Sequence, residues 1–306
     1  MRTDFYYDSR CGSRIHGCCW EPSGEVKAIV QFVHGISERV DRYEGFAEYL
    51  TSQGILVVGE DHMGHGLSVT DKTPRCYFAG GWFGAVADTY RLTKDTMAKH
   101  PGVPYFIYGH SMGSFMTRTL LAKYPDSGIT GAVLCGTGWQ RPALIVAAKT
   151  LSNLICKIKG DTHPSAFLRK AAFGSYNDRI KPLRTALDWL TRDKASVDDY
   201  IADPLCGGTA SAGLMRDMMD GFAYNQDEKN LSSMNKDLPV LFIAGDADPV
   251  GEYGKGVVYS AEMFRKAGMK QVEVKLYPQA RHEVHNELNK EEVYADVRNW
   301  IFRVIG

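Results

Sequence analysis

One short turn constrains this chain more than any other feature: Gly109-His110-Ser111-Met112-Gly113. The aromatic, apolar run at 105–108 predicts a buried strand before this turn, and helically spaced apolar residues continue after it to Tyr124. An isolated G-x-S-x-G match could be a Gly-rich loop whose serine caps a helix. Between a strand and a helix, however, the pattern is typical of a nucleophile elbow, in which the glycines avoid collisions and strain raises the serine hydroxyl. The turn therefore predicts a nucleophile at Ser111.

Buried strands and helices alternate along most of the remaining chain. Strands are predicted at 28–33, 55–59, 131–135, 240–244 and 272–277, two more within 4–20, and helices at 42–53, 84–99, 255–266 and 291–304. Such alternation is typical of a parallel sheet covered by helices on both faces. From 139 to 219 there is no convincing strand, and helix-like stretches occur at 143–155, 183–190 and 198–200. We therefore predict an α/β core of 1–138 and 220–306 with an inserted helical cap of 139–219.

Composition excludes several classes of protein. The 306 residues contain 36 Lys or Arg and 36 Asp or Glu, so the overall charge does not favour a nucleic-acid partner. The charged N-terminus lacks the apolar core of a secretory signal, and no stretch of eighteen apolar residues predicts a membrane span. Seven cysteines without C-x-x-C spacing favour reduced thiols and a cytoplasmic protein. No thiol or carboxylate cluster accompanies His62 and His65 in their Gly-rich segment, so neither a metal nor a cofactor is predicted.

A serine nucleophile requires a base, and that base requires an orienting carboxylate. His282 and His285 both follow the predicted strand at 272–277, while Asp246 and Asp248 both follow the strand at 240–244. Pro249 stiffens the backbone after Asp248 and so favours it, and the other aspartate would only form a turn. The two histidines are one residue too close for H-E-x-x-H, so a zinc-protease helix is not predicted.

Two backbone N–H groups should stabilise the oxyanion that forms during acyl transfer. Met112 follows the nucleophile directly and is expected to supply one of them. The loop His34-Gly35-Ile36, which follows the strand at 28–33, is expected to supply the other through Ile36. His34 itself is expected to be structural.

Five segments, in this order, resemble the monoacylglycerol lipase and lysophospholipase group of α/β-hydrolases. They are F-V-H-G-I-S-E-R-V-D-R-Y, D-H-M-G-H-G-L-S, G-H-S-M-G-S, G-D-A-D-P-V and Y-P-Q-A-R-H-E-V-H-N-E. The resemblance extends from about residue 28 to the end, and W-L-T-R-D and A-D-P-L-C-G within the cap resemble bacterial members. It implies an eight-stranded, mostly parallel sheet flanked by helices.

The resemblance also implies roles for particular residues. It places the nucleophile at Ser111, the acid at Asp248 rather than Asp246, and the base at His282 rather than His285. It places the oxyanion amides at Ile36 and Met112. The implied activity is hydrolysis of carboxylic esters of single-acyl lipids through an acyl-enzyme, with a small acyl ester as substrate. An amidase, peptidase or thioesterase using the same residues is the main alternative, and a non-catalytic ligand-binding protein of the same fold is a further one.

The predicted cap is basic. Residues 139–216 contain twelve Lys or Arg, seven Asp and no Glu, a formal charge of +5 in a chain whose total is zero. Together with an apolar stripe on the helix predicted at 143–155, this charge suggests peripheral contact with anionic lipid at a membrane surface. The alternative is that the charges are solvated and the stripe packs over the active site.

Overall fold

The apolar runs of the sequence form a single eight-stranded sheet in the computed structural model, which describes residues 1–306. The strands are β1 (Arg2–Asp8), β2 (Arg14–Trp20), β3 (Ala28–Val33), β4 (Ile55–Glu60), β5 (Tyr105–His110), β6 (Gly131–Cys135), β7 (Val240–Gly245) and β8 (Val272–Tyr277). Their spatial order is β1-β2-β4-β3-β5-β6-β7-β8. All neighbours from β4 to β8 pair in parallel, and only β1 and β2 introduce antiparallel pairing.

The chain also forms ten α-helices, several of which cover the two faces of this sheet. They are α1 (Glu44–Ser52), α2 (Gly81–Lys99), α3 (Met112–Lys123), α4 (Pro142–Lys159), α5 (Ala166–Phe173), α6 (Lys194–Ala202), α7 (Ala212–Gln226), α8 (Glu228–Ser233), α9 (Lys255–Lys266) and α10 (Lys290–Ile305). The apolar sides of α1 and α10 form one core with the sheet, and those of α2, α3 and α9 form the other. Strands β3 to β7 are buried along their whole length, which explains their continuous apolar sequences. The predicted fold class is confirmed.

Helices α4 to α8 fill the chain between β6 and β7. The segment 198–200 lies in α6, as predicted, but the helix predicted at 183–190 is wrong, because this segment forms consecutive turns. The Asp188 carboxylate accepts the Arg184 N–H (2.7 Å) and the Thr185 hydroxyl (2.6 Å). Such side-chain bonds to nearby groups compete with helix formation. The cap boundaries at 139 and 219 stay a prediction, since α7 packs against α2 and α3 as well as α4.

The parallel arrangement brings several loops together at one edge of the sheet. The chain leaves β3, β5, β7 and β8 at their carboxyl ends, and these ends point to the same edge. Open α/β sheets bind ligands outside this edge. All the predicted site residues follow one of these four strands. None of the helices is long and apolar enough to cross a membrane.

Candidate active site

Ser111 occupies a strained turn between β5 and α3. Its backbone has φ 52° and ψ −123°, a region that residues with a side chain rarely adopt. The Ser111 N–H donates to the Cys135 carbonyl of the neighbouring strand (2.9 Å), which holds the turn against β6. A Cβ atom at Gly113 would overlap the Val33 carbonyl, and one at Gly109 would overlap the Gly113 backbone. Close backbone approach therefore accounts for both glycines of the motif.

Asp248 and His282 contact each other although they are far apart in the sequence. Oδ2 of Asp248 lies 3.0 Å from Nδ1 of His282, and both side chains are buried. Oδ1 of Asp248 accepts the Val250 N–H at 2.8 Å, so the carboxylate is held from both sides. Because an ionised carboxylate can only accept, His282 carries its proton on Nδ1 and presents Nε2 as a base.

The two alternative residues take other positions. Asp246 is exposed, and its carboxylate accepts the Gln279 N–H at 2.6 Å in the turn after β8. His285 is buried with Nδ1 3.3 Å from the Tyr108 hydroxyl, and it makes no hydrogen bond to either aspartate. The structure therefore pairs Asp248 with His282 and leaves Asp246 and His285 outside this contact.

His282 and Ser111 line the same cavity. Nε2 of His282 is buried without a hydrogen-bond partner, so the bond to the Ser111 hydroxyl is not formed in this structure. Such bonds often tighten only when substrate binds. Burial disfavours the charged imidazole, but the charge and hydrogen bond of Asp248 outweigh burial and raise the pKa of His282 above its ordinary value.

This raised pKa predicts the pH dependence of the reaction. We expect kcat/KM to fall as the pH drops through the pKa of His282, at a value above the ordinary histidine pKa of about 6.5, because the protonated imidazole cannot accept the serine proton. A pH–rate profile with a soluble ester measures it. A profile that stays flat down to about pH 5 would exclude His282 as the base, since a histidine would be protonated there.

The predicted oxyanion groups lie on either side of Ser111. A Cβ atom at Gly35 would be 3.0 Å from Cβ of Ser111, so the loop after β3 packs directly against the nucleophile. Ile36 lines the cavity, and its N–H makes no hydrogen bond to protein. Met112 is the first residue of α3, where N–H groups have no partner within the helix. Both N–H groups are thus available to an oxyanion.

A buried charge network behind the oxyanion loop was not anticipated from the sequence. Glu38 accepts the Gly35 N–H (2.5 Å) and the Tyr43 hydroxyl (3.0 Å), and it bonds to Arg42 (2.8 Å). Arg42 in turn makes a bidentate pair with Glu283, next to His282, at 2.6 Å for both bonds. Burial alone would raise the pKa of Glu283, but the Arg42 guanidinium lowers it to about 2. The network ties the loop after β3 to the loop after β8, and the only sequence signal was the E-x-x-x-R spacing of Glu38 and Arg42.

The cap supplies most of the cavity wall. The cavity has a volume of about 520 Å³ and opens over Ser111 and His282. Its larger apolar cap residues include Phe173 of α5 and Leu187, Trp189 and Leu190 of the following turns. The Trp189 ring lies 5.0 Å from the His282 ring, and the Leu190 carbonyl accepts the Glu283 N–H at 2.7 Å. The segment wrongly predicted as a helix is thus one of the parts of the cap that contact the site edge of the sheet.

Comparison with known protein families now identifies the fold family. The family model described as Hydrolase_4, serine aminopeptidase S33, matches residues 24–289, which is most of the chain. The chain belongs to this family. The Hydrolase_4 match includes every residue of the candidate site described above.

Relatives of this Hydrolase_4 protein share its length and topology. The chain is 29% identical to a monoglyceride lipase homolog of Monkeypox virus, with 92% of each chain covered. It is 27% identical to the monoacylglycerol lipase of Mycolicibacterium smegmatis, over 95% of this chain and 93% of that one. The crystal structure of a carboxyl esterase from Bacillus coagulans superposes with a TM-score of 0.92 at 26% identity, covering 100% and 99% of the two chains. The chain is accordingly a carboxylic ester hydrolase that resembles monoacylglycerol lipases.

Proposed function

We propose that this protein hydrolyses esters of single-acyl lipids, of the monoacylglycerol or lysophospholipid type, through an acyl-enzyme on Ser111. The observation that carries the proposal is the cavity over Ser111, whose wall combines apolar cap residues with polar groups of both the cap and the sheet edge. Its volume of about 520 Å³ is within the range of small-molecule sites. The similarity to proteins named monoglyceride lipases supports the same substrate class.

Each residue of the site has one task in the proposed mechanism. The Ser111 hydroxyl attacks the ester carbonyl carbon while Nε2 of His282 accepts its proton, and Asp248 stabilises the imidazolium that forms. The N–H groups of Ile36 and Met112 hold the oxyanion. When the tetrahedral intermediate collapses, the alcohol leaves with the proton from His282. Water then attacks the acyl-enzyme, gives its proton to His282, and releases the fatty acid as that proton returns to Ser111.

A substrate panel tests the proposed substrate class. We expect kcat/KM for monoacylglycerols to rise with acyl length by up to about fourfold per methylene until the cavity is filled, since a buried methylene contributes about 0.8 kcal/mol. Glyceryl and p-nitrophenyl esters should be compared with the thioester and anilide of the same acyl chain. Faster turnover of the thioester or anilide would assign the protein to the alternative activities.

A fluorophosphonate probe separates an enzyme from a non-catalytic binder on the same fold. We expect one phosphonyl adduct per chain, at Ser111, by mass spectrometry of the intact protein and its peptides. A chain that binds single-acyl lipids but forms no adduct would be a binding protein.

The outer surface of the cap carries an exposed apolar stripe. Helix α4 packs against α7 through a face containing Ile145, Ser152 and Cys156. Much of the stripe predicted from the sequence faces solvent instead, with Leu144 58% and Leu154 53% exposed, and no residue of α4 lines the cavity. The stripe therefore does not pack over the active site.

We infer that α4 settles on anionic lipid. Ile158 continues the stripe and is 70% exposed, between Lys157 and Lys159, which are exposed too. An apolar stripe flanked by cations is the pattern of an interfacial helix, and each cation near an anionic surface contributes about 1 kcal/mol. The formal charge of +5 over 139–216 supports the choice of an anionic rather than a neutral surface.

Vesicle binding tests this inference. We expect the protein to co-sediment with vesicles containing phosphatidylserine at low salt and to be released at high salt, because salt screens exposed charges. The variant Leu154→Asp/Ile158→Asp should lose at least about tenfold in partitioning, since it places charge in the apolar stripe. Leu288→Asp is the matched control, because Leu288 is 67% exposed but lies outside the cap. The inference would be wrong if the protein bound equally to neutral and anionic vesicles, or if the α4 variant and the Leu288→Asp control lost vesicle binding equally. In either case α4 would be an ordinary solvated surface.

A further inference from the structure

A second cluster of chemically active side chains lies directly beneath the candidate active site. It consists of His110, which precedes the nucleophile, Cys135 at the end of β6, and His285 in the loop after β8. All three are buried, and one ligand atom from each lies within 4.8 Å of the others. None of their side chains has a task in the proposed hydrolysis, so the cluster requires a separate explanation.

The hydrogen bonds of His110 leave one ring nitrogen free. Nδ1 lies 3.0 Å from Oε1 of Glu38, and because a carboxylate only accepts, Nδ1 carries the proton and Nε2 presents a lone pair. That Nε2 is buried and has no hydrogen-bond partner. A metal-binding histidine usually donates its other ring N–H to a carboxylate in this way, which fixes the orientation of the ring.

His285 also has a buried ring nitrogen without a hydrogen-bond partner. Its Nδ1 lies 3.3 Å from the Tyr108 hydroxyl oxygen, and its Nε2 is buried without a partner. The ring of His285 is fully buried and lies 4.7 Å from the ring of His110. When Nδ1–H donates to the Tyr108 oxygen, Nε2 offers its lone pair. Cys135 completes the set with a thiol.

We propose that His110, Cys135 and His285 form an inhibitory binding site for one Zn²⁺ ion. Two imidazoles and a thiolate suit zinc, which binds them at about 2.0–2.1 Å and 2.3 Å and takes a fourth ligand from solvent. His110 lines the substrate cavity, which provides the route of entry. On binding, the Cys135 thiol releases its proton to solvent and its sulfur bonds to the ion, while the ligand atoms, now within 4.8 Å of one another, move together to reach tetrahedral spacing.

The position of the site explains why the ion would inhibit. The ring of His110 lies 4.8 Å from the ring of His282, which must become positively charged during the reaction. A divalent cation beside it disfavours the imidazolium and therefore the transfer of the serine proton. His110 is also joined directly to Ser111, so coordination would restrain the elbow that presents the nucleophile.

A similar cluster elsewhere in the chain differs because its ring nitrogens already have hydrogen-bond partners. His16 and Cys18 lie near Asp4, but both ring nitrogens of His16 are hydrogen-bonded, to Asp61 at 2.9 Å and to Asp4 at 3.0 Å. The Arg2 guanidinium lies 3.3 Å from the Cys18 sulfur and 3.0 Å from Asp4. A protein cation already occupies this cluster, so Cys18 offers a matched control.

Metal titration of the whole protein tests the proposal with two readouts. We expect micromolar Zn²⁺ to inhibit hydrolysis of a p-nitrophenyl ester, reversibly with EDTA, and Cd²⁺ to produce one thiolate-to-metal ultraviolet band per chain. Cys135→Ser should raise the inhibitory Zn²⁺ concentration by about 100-fold or more and abolish the band, because a serine hydroxyl is a poor ligand for these ions. Cys18→Ser should behave as the wild type. Inhibition or an absorption band that survives in Cys135→Ser would overturn the proposal.

A second variant, read by metal binding alone, tests the site without relying on catalysis or on the stability of the Cys135→Ser variant. Glu38→Gln removes the carboxylate that orients His110, and loss of such a partner typically costs 10–100-fold in metal affinity. Cd²⁺ affinity, read from the absorption band alone, should fall by that factor. Unchanged affinity in Glu38→Gln would show that His110 is not a ligand. The absorption band does not depend on which ester the protein hydrolyses, so it separates this proposal from the proposed function.

Discussion

Replacing Ser111 with alanine is expected to reduce kcat by at least about a thousandfold while leaving the protein folded. The substitution removes the only atom that forms the acyl-enzyme, so the residual rate comes from the oxyanion groups and substrate binding alone. The alanine occupies the same backbone position and adds no atoms, so packing around the elbow is preserved. Ester hydrolysis, thermal unfolding and far-ultraviolet circular dichroism measure the two parts of this prediction.

Ser114→Ala is the matched control for this experiment. Ser114 is a buried serine three residues further along α3, and its hydroxyl donates to the Ser111 carbonyl at 2.6 Å. Loss of one such hydrogen bond typically costs about 1 kcal/mol, so activity should stay within about tenfold of the wild type. A Ser111→Ala variant that keeps more than about a thousandth of the wild-type turnover would be incompatible with Ser111 as the nucleophile.

Substitutions of the two neighbouring aspartates, Asp248 and Asp246, are expected to differ greatly in their effect on activity. Asp248→Asn should reduce kcat/KM by about 10³–10⁴-fold, because an amide can donate to Nδ1 of His282 and so force the proton onto Nε2. That tautomer cannot accept the serine proton, and the charge that stabilises the imidazolium is lost as well. Asp246→Asn should change kcat/KM by less than about threefold, because the exposed Asp246 only accepts a turn N–H. Steady-state kinetics on one ester measure both variants.

The histidines provide the companion experiment. His282→Ala is expected to lose activity by the same order as Asp248→Asn, since both remove the base in its working form. His285→Ala should lose far less activity but should lower the melting temperature, because its buried ring stacks on Tyr43 with centroids 4.6 Å apart. If Asp246 and His285 proved to be the sensitive pair, the assignment of acid and base would have to be reversed.

The elbow and the strands could be predicted because each is specified by residues that are close together in the sequence. An apolar run that ends in G-x-S-x-G specifies a strand, a tight turn and a helix within a few residues, and the structure has β5, Ser111 at φ 52° and α3 in that order. Strands β3, β6 and β8 have the bounds expected from their apolar runs. The helix prediction at 183–190 was wrong because the turns there depend on hydrogen bonds to the side chain of Asp188. A pattern of apolar residues does not reveal such bonds.

The sequence by itself determined the fold, one candidate for the nucleophile and a short set of candidates for the acid and the base, since each follows a strand whose carboxyl end lies at the same edge. Only the tertiary structure decided which candidates touch: Asp248 contacts His282 across 34 positions. It also decided that α4 turns much of its apolar stripe to solvent and that His110 meets Cys135 beside His285. These contacts join residues from separate strands and loops, and their geometry depends on sheet pairing and helix packing rather than on any local pattern.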